Sequence, residues 1–249
     1  MPAALNFYLP RTQRLRKPGL VGGLLCAAML LVLSMPAYPG YPGLVDFSKG
    51  LLEHVRQRFG TEAPKRLLQM QHTVHQFRTT AGKDFSKTLQ QASDVQPAMT
   101  ILRRVNDFYN RVPYFTDQEH WNQADYWATP VEFVGSAGGD CEDYAIAKYM
   151  TLKELGVPID KMRITYVRAT QIGETHMVLA YYPTVNADPW ILDNLVDEVQ
   201  PASQRSDLIP VYSFNDDDLW LGGNNRKGAA STVRLWKDVL EKMERERRM

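Results

Sequence analysis

The spacing of apolar residues predicts a chain that is helical in its first part and rich in strands later. Three early segments carry apolar residues at steps of three and four, which is typical of amphipathic helices. They are about 47–59, 64–77 and 95–112. After residue 160 the apolar spacing changes to two, which indicates β-strands. The predicted strands are Arg163–Arg168, Glu174–Tyr182 and Trp190–Leu195.

A fourth helix is predicted between these two parts, over Cys141–Leu155, and it is apolar on nearly every side. Such a helix is usually buried. Gly138 and Gly139 precede it, Asp140 is suited to cap it, and Gly156 follows it. Cys141 is therefore expected in the first helical turn, where free N–H groups lower the pKa of a thiol.

Three other segments leave alternatives open. Pro113–Gly139 is rich in aromatic residues and is predicted to be an irregular loop, which either walls a cleft or covers the core. Ser213–Trp220 is predicted to be an exposed acidic loop rather than a cation site. After Val233 a helical pattern with a charged end either packs on the domain or meets a partner.

The N-terminal apolar run is typical of an export signal. Basic residues precede Leu20–Leu33, which has 14 residues. A signal core has roughly 7–15 residues, and about 20 are needed to span a bilayer. We therefore predict a cleaved signal peptide over 1–37, with an uncleaved anchor as the alternative. The other predicted segments are an extension with the first helix (38–64), the main domain (65–222) and a helical tail (223–249).

Composition limits what the chain can bind. Of 249 residues 44% are hydrophobic and the net charge is +1, so the chain can bury one core and has no charge pattern for nucleic acid. Cys26 lies in the apolar run, so removal of the signal leaves Cys141 as the only cysteine. A single thiol in an exported protein is either reactive or buried and inert, and its position at a helix start favours reactivity.

Cys141, His176 and Asp193 supply the parts of a cysteine nucleophile with an imidazole partner. A thiolate needs a base, and the imidazole needs a group that fixes its tautomer. The histidine and the aspartate lie on consecutive predicted strands, and antiparallel pairing can bring such residues side by side. The alternatives are a hydrogen-bonded core histidine and an aspartate that caps or forms a turn.

Asp140, Glu142 and Asp143 surround Cys141 with negative charge. Like charges raise the pKa of a neighbouring thiol, so these carboxylates need an explanation. One explanation is helix capping, in which Asp140 and Asp143 resemble a capping box. The other is a hard divalent cation held by the carboxylates. Calcium suits an all-oxygen site outside the cytoplasm, although the spacing is not that of an EF-hand.

Four blocks of sequence resemble the bacterial transglutaminase-like cysteine proteinases. They are Tyr126–Pro130 (YWATP), Gly138–Tyr144 (GGDCEDY), Thr175–Leu179 (THMVL) and Leu192–Leu195 (LDNL). The resemblance covers roughly residues 65–222, and the second block together with the two downstream blocks is specific.

This resemblance implies an α+β, papain/transglutaminase-like cysteine protease fold, in which an N-terminal helical lobe packs on an antiparallel β-sheet. It also implies a calcium-dependent endopeptidase of the periplasm. Family members cut a large biofilm adhesin near its N-terminus, at a double-alanine site, and so release it from the cell surface. An inner-membrane receptor that senses cyclic di-GMP sequesters the protease, and the expected membrane contact is through that receptor only.

The resemblance also assigns roles to residues of this chain. It implies that Cys141 is the nucleophile, His176 the general base and Asp193 the orienting acid. Asp140 and Glu142 match the calcium carboxylates of the family, and Asp143 falls in the same motif as a further ligand. Two other functions stay open: a transglutaminase or amidase that uses the same thioester, and a non-catalytic binding module with this fold. A second oxyanion donor is required, and the indole N–H of Trp127 is a candidate unless that ring only walls the cleft.

Overall fold

The computed structural model describes residues 44, 46–81, 96–222 and 225–249. All of them belong to one compact unit, Tyr38–Met249. The predicted export signal and the uncleaved-anchor alternative lie outside the described residues. The helices are α1 (Lys49–Phe59), α2 (Ala63–Ala81), α3 (Gln96–Tyr109), α4 (Asp117–His120), α5 (Pro130–Ser136), α6 (Cys141–Glu154) and α7 (Arg234–Arg247). The strands are β1 (Met162–Ala169), β2 (Glu174–Tyr181), β3 (Trp190–Leu192), β4 (Gln200–Pro201), β5 (Leu208–Phe214), β6 (Asp218–Leu221) and β7 (Asn225–Ala229).

The strands form one antiparallel sheet in the order β4-β3-β2-β1-β5-β6-β7. On the other side of the core, α1, α2, α3 and α5 pack together, and α6 lies between them and strands β1 and β2. The α+β fold with a helical lobe on an antiparallel sheet is therefore confirmed.

Helix α6 is the centre of the core, as its apolar pattern predicts. Ala145, Ile146, Ala147, Tyr149 and Leu152 are all almost fully buried. The helix packs against α3 and α5 on one side and against strands β1 and β2 on the other. Since such a helix cannot move without disturbing the core, it holds its first residue, Cys141, in a fixed place.

The predicted strand at Trp190–Leu195 is too long, and the prediction is wrong at its end. Strand β3 stops at Leu192, because the Asp193 side chain accepts a hydrogen bond from the Leu195 N–H at 3.0 Å and turns the chain. Asp193 therefore lies just beyond the strand.

The prediction of an irregular loop over Pro113–Gly139 is also wrong, since this segment contains α4 and α5. Each helix begins with a capping box, formed by Thr116 with Glu119 and by Thr129 with Glu132. The aromatic residues concealed this Thr-x-x-Glu signal. The segment both covers the core and, at its two ends, borders Cys141.

The predicted tail, 223–249, is built into the domain. Helix α7 lies where the helical pattern after Val233 predicts it, and the tail also contributes the edge strand β7, which the pattern did not predict. Trp236 of α7 is 1% exposed and meets Tyr149 edge-on, with ring centroids 5.7 Å apart.

The segment Ser213–Trp220, predicted to be an exposed acidic loop, is instead part of the β5–β6 hairpin. In its turn the Asn215 side chain accepts hydrogen bonds from the backbone N–H groups of Asp217 and Asp218.

Within the part of the chain that the structure describes, no helix has the length and hydropathy that a membrane span requires.

Candidate active site

Cys141 is the first residue of α6, as predicted, and it is a free thiol. The two preceding glycines allow the chain to approach the core closely. A Cβ added at Gly139 would lie 2.8 Å from Phe133 Cδ2 and would collide with the Asp143 carboxylate, and one at Gly138 would collide with Phe115. Only glycine leaves room for the helix start at this depth.

The environment of the Cys141 sulfur is acidic. Its Sγ donates a hydrogen bond to Glu142 Oε2 at 2.9 Å. Burial raises the pKa of Cys141 well above its usual value, and the charges of Glu142 and Asp140 raise it further. The backbone N–H of Met177, the residue after His176, bonds the sulfur and opposes this rise. Strand β2 thus meets the start of α6 beside the predicted base.

His176 and Asp193 form a buried hydrogen-bonded pair. His176 Nε2 lies 2.7 Å from Asp193 Oδ1, and their side chains are 4% and 0% exposed. An ionised carboxylate only accepts hydrogen bonds, so this contact assigns the proton to Nε2 and leaves Nδ1 as an acceptor. The pairing of β2 with β3 brings them together across a separation of 17 residues.

Asp193 is held in its ionised form. Burial alone would raise its pKa, but hydrogen bonds from His176, the Leu195 N–H and Arg205 lower the pKa of Asp193 to about 2. Arg205 Nη2 donates to Asp193 Oδ2 at 2.7 Å. Arg205 was not predicted as a site residue, because nothing in its local sequence pattern marks a contact with the end of β3.

Three carboxylates converge next to Cys141. One ligand oxygen from each of Asp117, Asp140 and Glu142 lies within 4.8 Å of the others. Burial and neighbouring negative charges raise the pKa of Asp140 to about 10, and burial is the main cause that raises the pKa of Asp117 to about 6. Among the described residues, Asp117 Oδ1 and Asp140 Oδ1 are buried without a hydrogen-bond partner. Buried, unpartnered, converging carboxylate oxygens fit a hard divalent cation such as calcium.

The structure gives Asp143 a different place from Asp140 and Glu142. Asp143 is fully buried, and its two oxygens accept the backbone N–H groups of Ala128 at 2.6 Å and of Asp140 at 3.3 Å. It caps α6 and ties it to the chain before α5. Asp117 occupies the third position of the acidic group instead. The Thr-x-x-Glu capping box that starts at Thr116 marks the beginning of helix α4, whose first residue is Asp117. This box was the sequence signal from which an ordered Asp117 could have been predicted.

Aromatic residues border this site. Tyr114 is 54% exposed and pairs through its backbone with Gly139. Burial, followed by the charges of Cys141, Asp140 and Glu142, raises the pKa of Tyr114 to about 12. Trp127 is buried, stacks on Phe214 with centroids 5.8 Å apart, and hydrogen-bonds the Asp125 side chain. This placement favours a wall role for Trp127 over that of an oxyanion donor.

Cys141 at the start of α6, next to the strand that carries the buried His176–Asp193 pair, is the arrangement that the sequence resemblance predicts. Comparison of the sequence with protein families agrees. Residues 70–222 match the bacterial transglutaminase-like cysteine proteinases, and the chain belongs to that family.

Solved structures of LapG from Legionella pneumophila have the same fold and are similar in sequence. One is 36% identical, covers 78% of this chain and 96% of LapG, and superposes with a TM-score of 0.61. An EGTA-treated form is 35% identical over the same shares, with a TM-score of 0.62. A calcium-bound form is 36% identical over 77% of this chain and 97% of LapG, with a TM-score of 0.60. A comparison with curated proteins gave no match.

Proposed function

We propose that this protein is a calcium-dependent cysteine endopeptidase of the periplasm that cuts a large surface adhesin. The observation that carries the proposal is the buried 2.7 Å contact between His176 Nε2 and Asp193 Oδ1. His176 lies on β2, and the backbone N–H of the next residue on that strand, Met177, bonds the Cys141 sulfur. A buried imidazole with one nitrogen fixed by a carboxylate and the other free to accept is suited to general base catalysis.

The first half of the reaction forms a thioester. His176 Nδ1 accepts the thiol proton, and the Cys141 sulfur attacks the carbonyl carbon of the scissile peptide. The tetrahedral oxyanion accepts a hydrogen bond from the Cys141 backbone N–H, which has no acceptor within the helix because it lies at the helix start. The C–N bond then breaks as His176 returns its proton to the amine, which leaves as the new N-terminus.

The second half restores the enzyme. His176 Nδ1 takes a proton from water, and the hydroxide adds to the thioester carbon. The C–S bond breaks, the acid product forms, and the proton on His176 returns to the Cys141 sulfur. Through both halves Asp193 holds the imidazole in the tautomer with the proton on Nε2.

Asp117, Asp140 and Glu142 would hold the calcium ion, which supplies positive charge that offsets these carboxylates when it is bound. Their unpartnered buried oxygens and the existence of a calcium-bound LapG structure support this assignment. Asp143 is proposed to act as the helix cap and not as a ligand, in line with its two backbone contacts.

The adhesin, its double-alanine cleavage site, biofilm dispersal and control by a cyclic di-GMP-sensing receptor are proposed from family membership. Tyr114 at the border of the site is 54% exposed and is therefore accessible to a protein substrate.

Cleavage of an adhesin N-terminal fragment tests the proposal. The purified protein is incubated with the fragment in calcium, in EGTA, and as the Cys141→Ala variant. We expect cleavage at the double alanine in calcium alone. Cleavage by Cys141→Ala would exclude the nucleophile, and cleavage that persists in EGTA would exclude the calcium requirement. Amine incorporation that exceeds hydrolysis would favour a transglutaminase instead.

A further inference from the structure

Arg205 occupies a place that the proposed reaction does not by itself explain. It is 4% exposed and lies in the connection between β4 and β5, far along the chain from Cys141. Its Nη2 donates to Asp193 Oδ2 at 2.7 Å, on the oxygen that His176 does not use. Both oxygens of the Asp193 carboxylate are therefore hydrogen-bonded, Oδ1 to His176 and Oδ2 to Arg205.

Arg205 is itself held in place. Its Nε and Nη2 donate to the two carboxylate oxygens of Asp207, at 3.0 and 2.9 Å. Its backbone is fixed on both sides, since Arg205 N donates to Ala202 O and Leu208 N donates to Arg205 O, each at 3.0 Å. The Asp207 backbone carbonyl accepts the Thr170 N–H at the end of β1. A planar guanidinium with this two-point contact has one orientation.

The backbone of Asp193 is fixed independently by Asn110, the residue that follows helix α3. Asn110 Nδ2 donates to Asp193 O at 2.8 Å and to Asp197 Oδ1 at 2.8 Å, and Asn106 Nδ2 donates to Asp197 O at 2.7 Å. These contacts locate the turn but do not touch the Asp193 carboxylate, whose Oδ1 accepts the Leu195 N–H at 3.0 Å as well as bonding His176. Arg205 is the side chain that holds the other oxygen, Oδ2, and so limits rotation of the carboxylate about its side-chain bonds.

We propose that Arg205, locked by Asp207, is a positioning residue that aims Asp193 Oδ1 at His176 Nε2. The inference rests on the proposed function, because it assigns Arg205 a role only if His176 activates Cys141. It differs from a role in charge neutralisation, for which any buried cation at this place would serve.

The test measures the rate at which iodoacetamide alkylates Cys141 in the full chain with calcium, read on the Cys141 peptide by mass spectrometry. The key variants are Arg205→Lys, Arg205→Met and Asp207→Asn. Lysine keeps the charge but not the planar fork, and Asp207→Asn keeps Arg205 but loosens it. Arg226→Met and Asp218→Asn are matched controls, since this ion pair lies on the β6–β7 hairpin, where Arg226 is exposed and Asp218 half-buried. The melting temperature of each variant is recorded.

We expect Arg205→Lys and Arg205→Met to slow alkylation about tenfold or more, because a misplacement of a catalytic group by about 1 Å can lower the reaction rate about 10²-fold. Asp207→Asn should slow it less, and the controls should match the wild type. With a peptide substrate the loss should appear in kcat and not in KM. If Arg205→Met does not fold, Arg205→Lys and Asp207→Asn decide the question.

Two failures can be told apart. If wild-type Cys141 reacts no faster than in the denatured chain, and His176→Ala changes nothing, the proposed function fails and the role of Arg205 fails with it. If the wild type is fast and His176→Ala is slow, but Arg205→Lys equals the wild type, only the positioning role is overturned, and Arg205 acts through its charge.

Discussion

The Cys141 thiol donates a hydrogen bond to Glu142 Oε2 across 2.9 Å, so the proton of the proposed nucleophile points at the carboxylate of the next residue. The same carboxylate belongs to the acidic group with Asp117 and Asp140. A cation bound there would compete with the thiol for Glu142. This relationship links the proposed metal site to the reactivity of Cys141.

Glu142→Gln should therefore speed the alkylation of Cys141 in the absence of calcium and weaken its response to calcium. In EGTA the variant loses a negative charge that raises the pKa of Cys141, so alkylation at neutral pH should be severalfold faster than in the wild type. Added calcium should then have little further effect. Glu241→Gln on the exposed face of α7 is the control. Slower alkylation in EGTA, or a full calcium response, would contradict the prediction.

Asp117→Asn should weaken calcium binding while the fold persists. The amide can still accept the Tyr126 N–H that Asp117 Oδ2 accepts at 2.5 Å, but it removes one ligand charge. We expect the calcium concentration for half-maximal thermal stabilisation to rise about tenfold or more.

The measurement is a calcium titration of the melting temperature, with Asp238→Asn on the surface of α7 as the control. Asp143→Asn offers a contrast, since a capping residue should change the melting temperature in EGTA as well. An Asp117→Asn variant with the wild-type calcium midpoint would remove Asp117 from the site.

Gly139→Ala should destabilise the start of α6. The added Cβ meets Phe133 and the Asp143 carboxylate, and forcing extra volume into a packed core costs about 1–3 kcal/mol. Gly228→Ala in β7 is the matched control, because nothing lies within 4 Å of a Cβ there. Denaturant unfolding measures both free energies, and equal values for the two variants would contradict the prediction.

Glu246 should make stability depend on pH. It accepts the Thr129 hydroxyl at 2.6 Å, and burial raises the pKa of Glu246 from 4.5 to about 8. The folded protein therefore binds this proton more tightly than the unfolded chain, so its contribution to stability is present below pH 4.5 and is lost as the pH rises towards 8.

Glu246→Gln removes this titration and keeps an acceptor for Thr129. The melting temperature of the variant should approach that of the wild type at pH 4.5 and exceed it at pH 8. Melting curves across this range test it, and Glu241→Gln is again the control. A wild-type advantage that grows with pH would show the opposite sign of linkage.

The amino-acid pattern by itself determined the local features of this protein. An apolar stretch with glycines before it specifies a buried helix that starts at Cys141, and residues alternating with a period of two specify the strands that carry His176 and end beside Asp193. These features depend on neighbours in the chain, so a linear pattern contains them.

Only the tertiary structure decided which distant side chains meet. Asp117 joins Asp140 and Glu142 because α4 packs beside the start of α6, and Arg205 reaches Asp193 because the β4–β5 connection returns to the end of β3. It likewise brought Asp143 to the Ala128 N–H and built the predicted tail into the sheet and core. Such contacts join residues that are far apart in sequence, and strand order and helix packing, which no local pattern records, bring them together.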